Sequence, residues 1–416
     1  MRLVVHKYGG TSVGSAERIR AVAQRLIETQ KEGCRVVAIV SAMAGVTDQL
    51  IKLAKEMSPE PTKRELDVLL ATGERASSAL TAMAVSALGG RAVSLSGADA
   101  GILTDSMHTK ARIANISPKQ ILKLLEDDYI VIVAGFQGQT LEGETTTLGR
   151  GGSDLSAIAL ASALNADACQ IFTDVDGVFT CDPRIVGDAQ KVNEIAYDEL
   201  LEMASAGSKV MQSRAVEFAK KFGVEFEVRS SFKADRGTIA REETPSMEDV
   251  VVRGISLDRH QAKLTIAEVP DRPGIAGRIF SNIAAAHIVV DMIVQNASIV
   301  GTTDVSFTIH QDELEDARKI LMPIVSEIGG TRLNTASGVA KLSVVGIGMR
   351  SHSGVAARMF ECLGKGKINI QLVSTSEIKI AVVIDEIDAE RAAQLIHKEF
   401  GLARLMPVTS ATQSLA

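Results

Sequence analysis

The chain has 416 residues, a length typical of about three domains. Its 45 Lys and Arg against 51 Asp and Glu give a net charge of -6, and only 3% of its residues are aromatic. These figures argue against nucleic-acid binding through a basic surface or through base-stacking rings. With 46% hydrophobic residues but no apolar run of about 18, the chain is predicted to be globular and not to cross a membrane.

The N-terminus and the cysteines favour a cytoplasmic location. The first ten residues carry charges inside an apolar run and lack a cleavage-site pattern, so they predict a first strand rather than a signal peptide. Cys34, Cys169, Cys181 and Cys362 lie far apart, with no CxxC pair. This spacing argues against a disulfide framework or a zinc site and indicates a reducing compartment.

From residue 1 to about 245, short apolar runs alternate with helical patterns. The predicted strands are Leu3–Tyr8, Arg35–Val40, Ala92–Leu95, Tyr129–Gly135 and Ala168–Thr173. The predicted helices are Ser15–Gln30, Lys63–Leu88, Pro118–Glu126 and Ser153–Leu164. Strands that are apolar on both faces, separated by amphipathic helices, predict an α/β domain with a mainly parallel open sheet sandwiched by helices. Because ligands bind beyond the carboxyl ends of such strands, the residues that follow each run are the candidates for chemistry.

A Gly-rich turn, KYGGTSVG at Lys7–Gly14, follows the first predicted strand. Gly9 and Gly10 allow the backbone to approach phosphate oxygens closely, and a helix start offers N–H groups to an anion. Lys7 is placed to neutralise charge on a transferring phosphoryl group. The alternative is an ordinary strand-to-helix turn with a surface lysine.

A second Gly-rich turn, LGRGGSD at Leu148–Asp154, opens an apolar helix. Arg150 lies among three glycines, a setting that suits bidentate capture of a carboxylate or phosphate. Ser153 and Asp154 could bind the same ligand. Alternatively, Ser153 is only an N-cap, and Asp154 is only a first-turn acid that the helix dipole favours.

A third turn, TDVDGVF at Thr173–Phe179, comes after a buried strand and precedes DPR at Asp182–Arg184. Acidic residues in this position suit a magnesium ion or a nucleotide ribose. Asp176–Gly177 also fits a common hairpin turn. No P-loop or protein-kinase motif occurs. Glu74, inside a predicted helix, is by itself predicted to be a solvated charge.

Beyond a charged boundary at Arg236–Asp249, the sequence repeats itself. Three segments recur in order: Ala262–Thr265 as Ala340–Ser343, Gly274–Phe280 as Gly354–Phe360, and Ile288–Gln295 as Ile368–Thr375. Each copy has the βαββαβ pattern of a ferredoxin-like module.

The two copies differ at their ends. The first has a fourth predicted strand, Thr331–Ala336, after helix Asp312–Ile328, whereas the second ends after helix Ala389–Phe400 with only Leu402–Val408. An unpaired strand, Val250–Leu257, precedes the first copy, and we expect it to complete the sheet of the second. The predicted domains are therefore residues 1–245, residues 262–338, and a discontinuous module of residues 250–257 plus 340–412.

Six motifs in one order resemble those of the aspartate kinase family. They are the turns at Lys7–Gly14, Leu148–Asp154 and Thr173–Arg184, with SAMAGVTD at Ser41–Asp48, TGE at Thr72–Glu74 and SKVMQSRAVEFA at Ser208–Ala219. The repeat resembles tandem ACT domains, and the resemblance spans Leu3 to about Phe400. It implies an amino-acid kinase fold followed by two ferredoxin-like ACT modules.

The resemblance implies ATP-dependent phosphorylation of the L-aspartate β-carboxylate to 4-phospho-L-aspartate, the first step of lysine, threonine and methionine biosynthesis, with ATP and Mg²⁺. The attacking carboxylate is already ionised, so the reaction needs positioning and charge neutralisation rather than a strong base. The alternatives are another amino-acid kinase, of the N-acetylglutamate or glutamate 5-kinase type, and a catalytically silent amino-acid sensor.

The resemblance also implies residue roles. Lys7 would stabilise the transferring phosphoryl group, and Asp154 would organise the catalytic lysines and the metal–phosphate arrangement. Aspartate would be held by Ser41, Thr47, Glu74, Arg150 and Ser153, with Arg150 on a carboxylate and Glu74 nearer the amino group. ATP would be bound by Lys7, Tyr8, Gly9, Gly10, Thr173, Asp174, Phe179, Arg184, Lys209 and Val210. No residue is implied as a direct metal ligand.

The ACT pair implies feedback by lysine, threonine or both. An effector carboxylate would meet backbone N–H groups at the Gly-opened helix starts. The implied effector residues are Asp271, Gly274, Ile275, Ala276, Asp291, Met292, Gln295 and Asn296 in the first copy, and Ser353, Gly354, Val355, Thr375, Ser376 and Glu377 in the second. We also expect a homo-oligomer formed through the ACT domains, and a small regulatory subunit that starts near Met247.

Overall fold

The computed structural model of the protein describes residues 1–208, 210–242, 251–296, 301–350 and 352–403. No helix in these ranges is both long and apolar enough to cross a bilayer. The chain folds into two compact units. The first is formed by residues 1–178, 191–204 and 210–242, and the second by residues 179–190, 205–208 and the described residues from 251 onward.

The first unit alternates strands and helices. Its strands are β1 (Arg2–Tyr8), β2 (Cys34–Val40), β3 (Ala92–Leu95), β4 (Ile102–Thr104), β5 (Ile113–Ile116), β6 (Ile130–Ala134), β7 (Gln137–Gln139), β8 (Thr145–Thr147), β9 (Ala168–Thr173), β10 (Glu194–Ala196), β11 (Phe226–Ser230) and β12 (Thr238–Arg241). Its helices are α1 (Ala16–Lys31), α2 (Val46–Met57), α3 (Lys63–Ala87), α4 (Lys119–Glu126), α5 (Gly152–Ala163), α6 (Tyr197–Ser205) and α7 (Ser213–Phe222).

An eight-stranded sheet forms the centre of the first unit, in the order β10-β12-β11-β9-β1-β2-β6-β3. Every neighbouring pair is parallel except β11 and β12. The central strands are buried because Val and Ile cover both of their faces, and helices pack on the sheet. The predicted mainly parallel sheet is therefore confirmed, and each predicted strand and helix of this unit is found within one residue at either end.

Helix α1 shows how the local sequence sets an element. The Ser15 hydroxyl caps it by accepting a hydrogen bond from the Arg18 backbone N–H at 3.2 Å. Glu17 in the first turn and Lys31 in the last suit the helix dipole. The buried face, which packs on the sheet, consists of Ile19, Val22, Ala23, Leu26 and Ile27.

Several elements of the first unit were not predicted. The largest is α2, inside the second motif, and the others include a small sheet in the order β5-β4-β7-β8. Three of its four strands have only three residues, too few for an apolar alternation to be recognised. This small sheet and its connections lie beside the Gly-rich turn at residues 148–151.

The second unit contains the sequence repeat. Its strands are β13 (Gly254–Pro270), β14 (Val290–Gln295), β15 (Thr302–His310), β16 (Arg332–Val345), β17 (Leu372–Thr375) and β18 (Lys379–Asp385). Its helices are α8 (Ile275–Ala285), α9 (Leu314–Glu327), α10 (Val355–Lys365) and α11 (Ala389–Glu399). The sheet order is β14-β15-β13-β16-β18-β17.

Two long strands, β13 and β16, run through both modules. The second half of β13 pairs with the first half of β16, from Lys263 opposite Ala336 to Ala267 opposite Arg332. The first half of β13 pairs with the second half of β16, from Gly254–Asp258 to residues 341–345. The first half of β13 thus pairs with the second module, as expected for the strand that precedes the first copy. The separate strands expected on either side of each module boundary are a wrong prediction, because β13 and β16 are each continuous. Irregular pairing between Asp258 and Lys263 lets each strand pass from one module to the other without a break.

Each module has its own apolar core. Ile266, Phe307 and Leu321 belong to the core of the first module, between its sheet and helices α8 and α9. Ile255 and Met359 belong to the core of the second. The second core also receives three buried side chains from residues 179–190, namely Cys181, Val186 and Ala189.

Ile255 and Ile266 lie on the same strand, β13, but in different cores, so they distinguish the two modules. Either Ile→Ala change should cost about 2–5 kcal/mol. We expect Ile255→Ala to accelerate hydrogen exchange in α10 and α11, and Ile266→Ala to do so in α8 and α9. Hydrogen–deuterium exchange with peptide mass spectrometry measures this. Identical exchange patterns in the two variants would contradict two cores that share one strand.

Candidate active site

The turns that follow four neighbouring strands meet at one edge of the large sheet. Backbone hydrogen bonds continue past the strand ends: Gly9 N donates to Phe172 O at 3.1 Å, Ser41 N to Tyr8 O at 3.1 Å, and Gly135 N to Val40 O at 3.0 Å. Because β9, β1, β2 and β6 are parallel neighbours, this is their shared carboxyl edge. Ligands of open α/β sheets bind at such an edge.

A buried ion pair lies at this edge. Lys7 Nζ, at the end of β1, is 2.6 Å from Asp154 Oδ1, in the first turn of α5, and both side chains are 11% exposed. Helix α5 is buried on nearly all sides, so its N-terminus points at the sheet edge from a fixed position. Two charges held close together with little water interact far more strongly than on an open surface.

Two glycines make the close packing of the turns possible. A Cβ on Gly10 would lie 2.8 Å from the carbonyl oxygen of Ala42, so only glycine lets the first turn rest on the residues after β2. Gly151 has φ +70 as the N-cap of α5, and a Cβ there would lie 2.4 Å from the Gln212 side chain. The predicted glycine turns are thus also sites of close backbone approach.

Glu74 is a buried carboxyl group and not the solvated helix charge that the pattern alone predicted. It is 4% exposed, and its Oε1 accepts a hydrogen bond from Ala42 N at 3.1 Å. Its Oε2 is buried without a hydrogen-bond partner. Burial raises the pKa of Glu74 to about 7, against the opposing effect of the Ala42 N–H. The signal in the sequence was the stripe of small residues on the same face of α3: Gly73, Ser77, Ser78 and Thr81.

The other predicted aspartate-binding residues surround this edge. Ser41 follows β2, and Thr47 is in the first turn of α2, both half-buried. Ser153 is buried in the first turn of α5. A Cβ on Gly135 would lie 2.9 Å from the Cβ of Ser153. Arg150, just before α5, has an exposed side chain. Ala42, after β2, is therefore linked to Glu74 by a hydrogen bond, and Gly135, after β6, packs closely against Ser153.

The predicted ATP-binding residues fall into several groups. Thr173 ends β9, and its hydroxyl donates to Asp174 Oδ1 at 3.2 Å. Val210 is half-buried in the first unit, whereas Lys209 lies outside the described residues. The Tyr8 ring is fully buried and stacks on Phe172 at 4.8 Å, so only the Tyr8 backbone faces the edge.

Phe179 and Arg184 belong to the second unit, whereas Lys7 belongs to the first. Arg184 Nη2 lies 2.6 Å from Asp182 Oδ2, and this guanidinium holds the pKa of Asp182 below its usual range. Their part in binding ATP stays a prediction.

The turn after β11 also lies at this edge and was not predicted from the sequence. The Ser231 hydroxyl lies 2.5 Å from that of Ser12, in the first Gly-rich turn, and the Ser231 carbonyl accepts a hydrogen bond from Arg25 Nη2 at 3.0 Å. Strand β11 was missed because its sequence, FEVRS, carries two charges among few apolar residues. One of these charged side chains, Glu227, accepts a hydrogen bond from Gln170 within the sheet.

Both predicted effector turns begin helices with left-handed glycines. Gly274 has φ +95 at the start of α8, and Gly354 has φ +94 at the start of α10. Three of the predicted effector residues have buried side chains, so only their backbone groups could contact an effector: Ile275, Met292 and Val355. The remaining residues that face solvent are Asp271, Gln295, Asn296, Ser353, Thr375, Ser376 and Glu377, with Ala276 half-buried.

Asp291, another predicted effector residue, is already paired. It forms an ion pair with Lys341, a residue of the second module that is 3% exposed. The repeat places Lys263 where Lys341 stands, and Lys263 Nζ donates to Gln371 at 2.7 Å in the second module. Each lysine thus contacts the other module, so Asp291 has a structural partner inside the chain.

Comparisons with known proteins agree with this architecture. The model of the Amino acid kinase family matches residues 2–230, and that of the ACT domain matches residues 267–322 and 342–400. An aspartate kinase of Stutzerimonas stutzeri is 51% identical over 403 residues, which cover 97% of this chain and 98% of that one. This chain belongs to the aspartate kinase family. Phosphorylation of aspartate by ATP, predicted from the motifs, is the activity of this family, and the prediction is confirmed.

Solved aspartate kinases share the fold. The structure of E. coli aspartokinase III with aspartate and ADP (R-state) matches with a TM-score of 0.81 at 25% identity, covering 96% of this chain and 99% of that one. The structure of the same enzyme with lysine and aspartate (T-state) matches with a TM-score of 0.75 at 25% identity over the same shares. The amino-acid kinase fold followed by ACT modules is confirmed.

The raised pKa of Glu74 predicts a pH-dependent stability. Between pH 4.5, the ordinary value, and about 7, the folded protein keeps a proton on Glu74 that the unfolded chain has lost, so this group makes the free energy of unfolding fall as pH rises. Relative to wild type, Glu74→Gln should therefore gain stability from about pH 5 to 7.5, by on the order of 3 kcal/mol at most.

Thermal unfolding of both proteins across this range measures the effect. The matched control is Glu28→Gln, the same replacement at an exposed glutamate on α1. A Glu74→Gln difference from wild type that stays constant across this pH range would contradict the raised pKa of Glu74.

Proposed function

We propose that the turns at the carboxyl edge of the large sheet transfer the γ-phosphoryl group of ATP to the β-carboxylate of L-aspartate. A carboxylate oxygen forms a bond to the γ-phosphorus while the bond to the β,γ-bridging oxygen breaks, which gives 4-phospho-L-aspartate and ADP. No proton moves, because the carboxylate attacks in its ionised form. The observation that carries the proposal is the buried Lys7–Asp154 pair at this edge.

In this proposal, Lys7 neutralises the phosphoryl oxygens. Its ammonium group is held by Asp154 and largely shielded from water, so its charge acts in a medium of low dielectric constant. A Cβ on Gly9 would lie 3.6 Å from Lys7 Nζ, so the bare glycine leaves space for an oxygen next to the ammonium. Asp154 fixes the ammonium before ATP arrives, and positioning is the main requirement for phosphoryl transfer.

Aspartate would be held by groups of opposite charge. The buried Glu74 Oε2 without a partner suits the substrate ammonium, which would complete its hydrogen bonding. Arg150 is exposed and suits a carboxylate through its two-pronged guanidinium. Ser41, Thr47 and Ser153 would add hydroxyl groups at the same edge.

A kinase of this family uses ATP and a divalent metal, and we propose Mg²⁺ as that metal. Within the described ranges, no three His, Cys, Asp or Glu residues form a cluster that could hold a metal ion. Mg²⁺ commonly binds one or two carboxylates while phosphates and waters supply the other ligands. Asp154 would help to organise the metal–phosphate arrangement, and the metal would neutralise phosphate charge.

The ATP site would combine the backbone of residues 8–10 with Thr173, Asp174 and Val210. Phe179, Arg184 and Lys209 belong to the proposal through the resemblance alone. We also propose a cytoplasmic location, on the ground of four scattered cysteines, none of which forms a disulfide.

For the second unit we propose a regulatory role and the domain bounds 262–338 and 250–257 plus 340–412. Lysine, threonine or both would bind at the Gly274 and Gly354 helix starts; E. coli aspartokinase III was solved with lysine. The end strands β14 and β17 carry exposed apolar side chains, such as Ile293 and Val373, that suit pairing with a second copy. A small subunit starting near Met247, which lies outside the described residues, completes this proposal.

Removal of the Lys7 ammonium group should nearly abolish phosphoryl transfer. Hydroxylamine traps the acyl phosphate formed from aspartate and ATP, and the trapped product measures turnover. We expect Lys7→Ala to lower kcat by about 10²–10³-fold, because a transition-state charge contact is lost. Near-normal turnover would remove Lys7 from the mechanism.

Controls separate chemistry from folding and from substrate choice. Lys31→Ala, at an exposed lysine at the end of α1, should retain full activity. Circular dichroism of Lys7→Ala should match wild type. Glutamate and N-acetylglutamate replace aspartate in the same assay, and a product formed only from glutamate would overturn the substrate.

Feedback through the second unit predicts that saturating lysine plus threonine lowers the activity of the wild-type enzyme. The physical basis is anion binding at the two left-handed glycine helix starts. Initial rates with and without the two amino acids measure the effect, with leucine as the control ligand. Equal rates in all three conditions would rule out this regulation.

A further inference from the structure

Asp67 is a fully buried carboxylate that the proposed reaction does not use. It lies on α3 with 0% of its surface exposed. Thr109 N donates to both of its oxygens, at 3.1 and 3.0 Å, the Thr147 hydroxyl donates to Oδ1 at 2.5 Å, and His108 Nδ1 lies 2.8 Å from Oδ2. A buried carboxylate is costly unless such partners replace water, so the whole group is built around these contacts.

Two of these partners, Thr109 and Thr147, lie next to the turn at residues 148–151, which carries Arg150. Thr147 directly precedes this turn. Thr109 adopts φ +70, a left-handed conformation that is unfavourable for a β-branched residue, and Asp67 holds its N–H on both carboxylate oxygens. The Thr109 carbonyl oxygen is 3.3 Å from where a Cβ on Gly149 would lie, so the turn rests directly on Thr109.

A second group holds the same turn from α7. Arg214 Nη1 donates to the Leu148 carbonyl at 2.6 Å, and its Nη2 donates to the Ala111 carbonyl at 3.0 Å. Ala111 N in turn donates to the Thr147 carbonyl at 2.9 Å, which ties the two segments together. The backbone before and beneath Arg150 is thus fixed by one carboxylate and one guanidinium, while the Arg150 side chain remains exposed.

The Asp67 group also extends to the surface. His108 Nε2 lies 3.6 Å from Glu144 Oε2, and Glu144 Oε1 accepts a hydrogen bond from Arg64 Nε at 3.0 Å. Asp67 therefore connects α3, the segment 107–111 and strand β8 in one polar network. Both α3, through Glu74, and β8, through the turn that follows it, lead to groups assigned to aspartate.

We propose that Asp67 is a positioning residue for aspartate binding: it sets the backbone of the turn at residues 148–151 and thereby aims Arg150 at the substrate carboxylate. The proposal rests on the assignment of Arg150 to aspartate under the proposed function. A merely structural Asp67 would change stability alone, whereas a positioning residue changes the affinity for one substrate.

The test compares the two KM values. Asp67→Asn keeps the shape of the side chain but turns an NH₂ group toward at least one of the donors, so the segment around Thr109 shifts. We expect KM for aspartate to rise by at least about tenfold and KM for ATP to change by less than about twofold, because uniform binding of one substrate is weakened. Equal changes in both constants, or none, would overturn the proposal.

A matched control is Glu199→Gln, which alters another buried acid of the first unit that caps the start of α6 through Ala196 N. It should lower stability and leave both KM values unchanged. Thr147 provides an independent pair if Asp67→Asn folds poorly. Thr147→Val removes the hydroxyl donor and should raise KM for aspartate, whereas Thr147→Ser keeps the donor and should restore it; equal KM values in this pair would also count against the proposal.

Arg150→Ala separates the positioning role of Asp67 from the assignment of Arg150 to aspartate. An unchanged KM for aspartate in this variant would remove Arg150 from the substrate site and overturn the role of Asp67 together with that assignment. A raised KM in Arg150→Ala with an unchanged one in Asp67→Asn would overturn the positioning role alone.

Discussion

The ion pair between Lys7 and Asp154 joins the end of β1 to the first turn of α5, and it is mostly shielded from water. Burying two charges is tolerable only when their positions are well defined, so the surrounding turns have little freedom. Gly10 lets the first turn rest on Ala42, and Gly151 lets α5 begin against Gln212. The rigidity that the pair requires is also what phosphoryl transfer requires, since the protein contributes mainly placement and charge.

Two carboxyl groups on α3 serve this arrangement in different ways. Burial raises the pKa of Glu74, and one of its oxygens has no partner and can accept a hydrogen bond from a cationic group. Asp67 has every oxygen bonded, two helical turns earlier on the same buried stripe. An unsatisfied buried acid is typical of a ligand site, and a satisfied one is typical of support for that site.

Local patterns predicted much of the fold and less of the site. Strand β6, IVIVA, is apolar throughout, so its own sequence determines it. Glu74 and Asp67 could not be recognised as buried, because burial of a charge depends on partners far away in the chain: Ala42, Thr109 and Thr147. The continuity of β13 was missed for a similar reason. The polar run at Asp258–Gln261 does not indicate a strand by itself, and its continuity comes from the pairing of Asp258 and Gln261 with β16.

Residues 179–190 contribute to the core of the second module, so a C-terminal fragment without them would have an incomplete core. A polypeptide beginning between the two units would retain β13 and β16 entire, and with them both module sheets. It would lack Cys181 and Val186, and it would uncover the part of the core that they fill near Ile255. Such a fragment would contain every strand of both module sheets, but its second core would expose apolar side chains. An exposed apolar area of this kind favours binding to another chain that covers it.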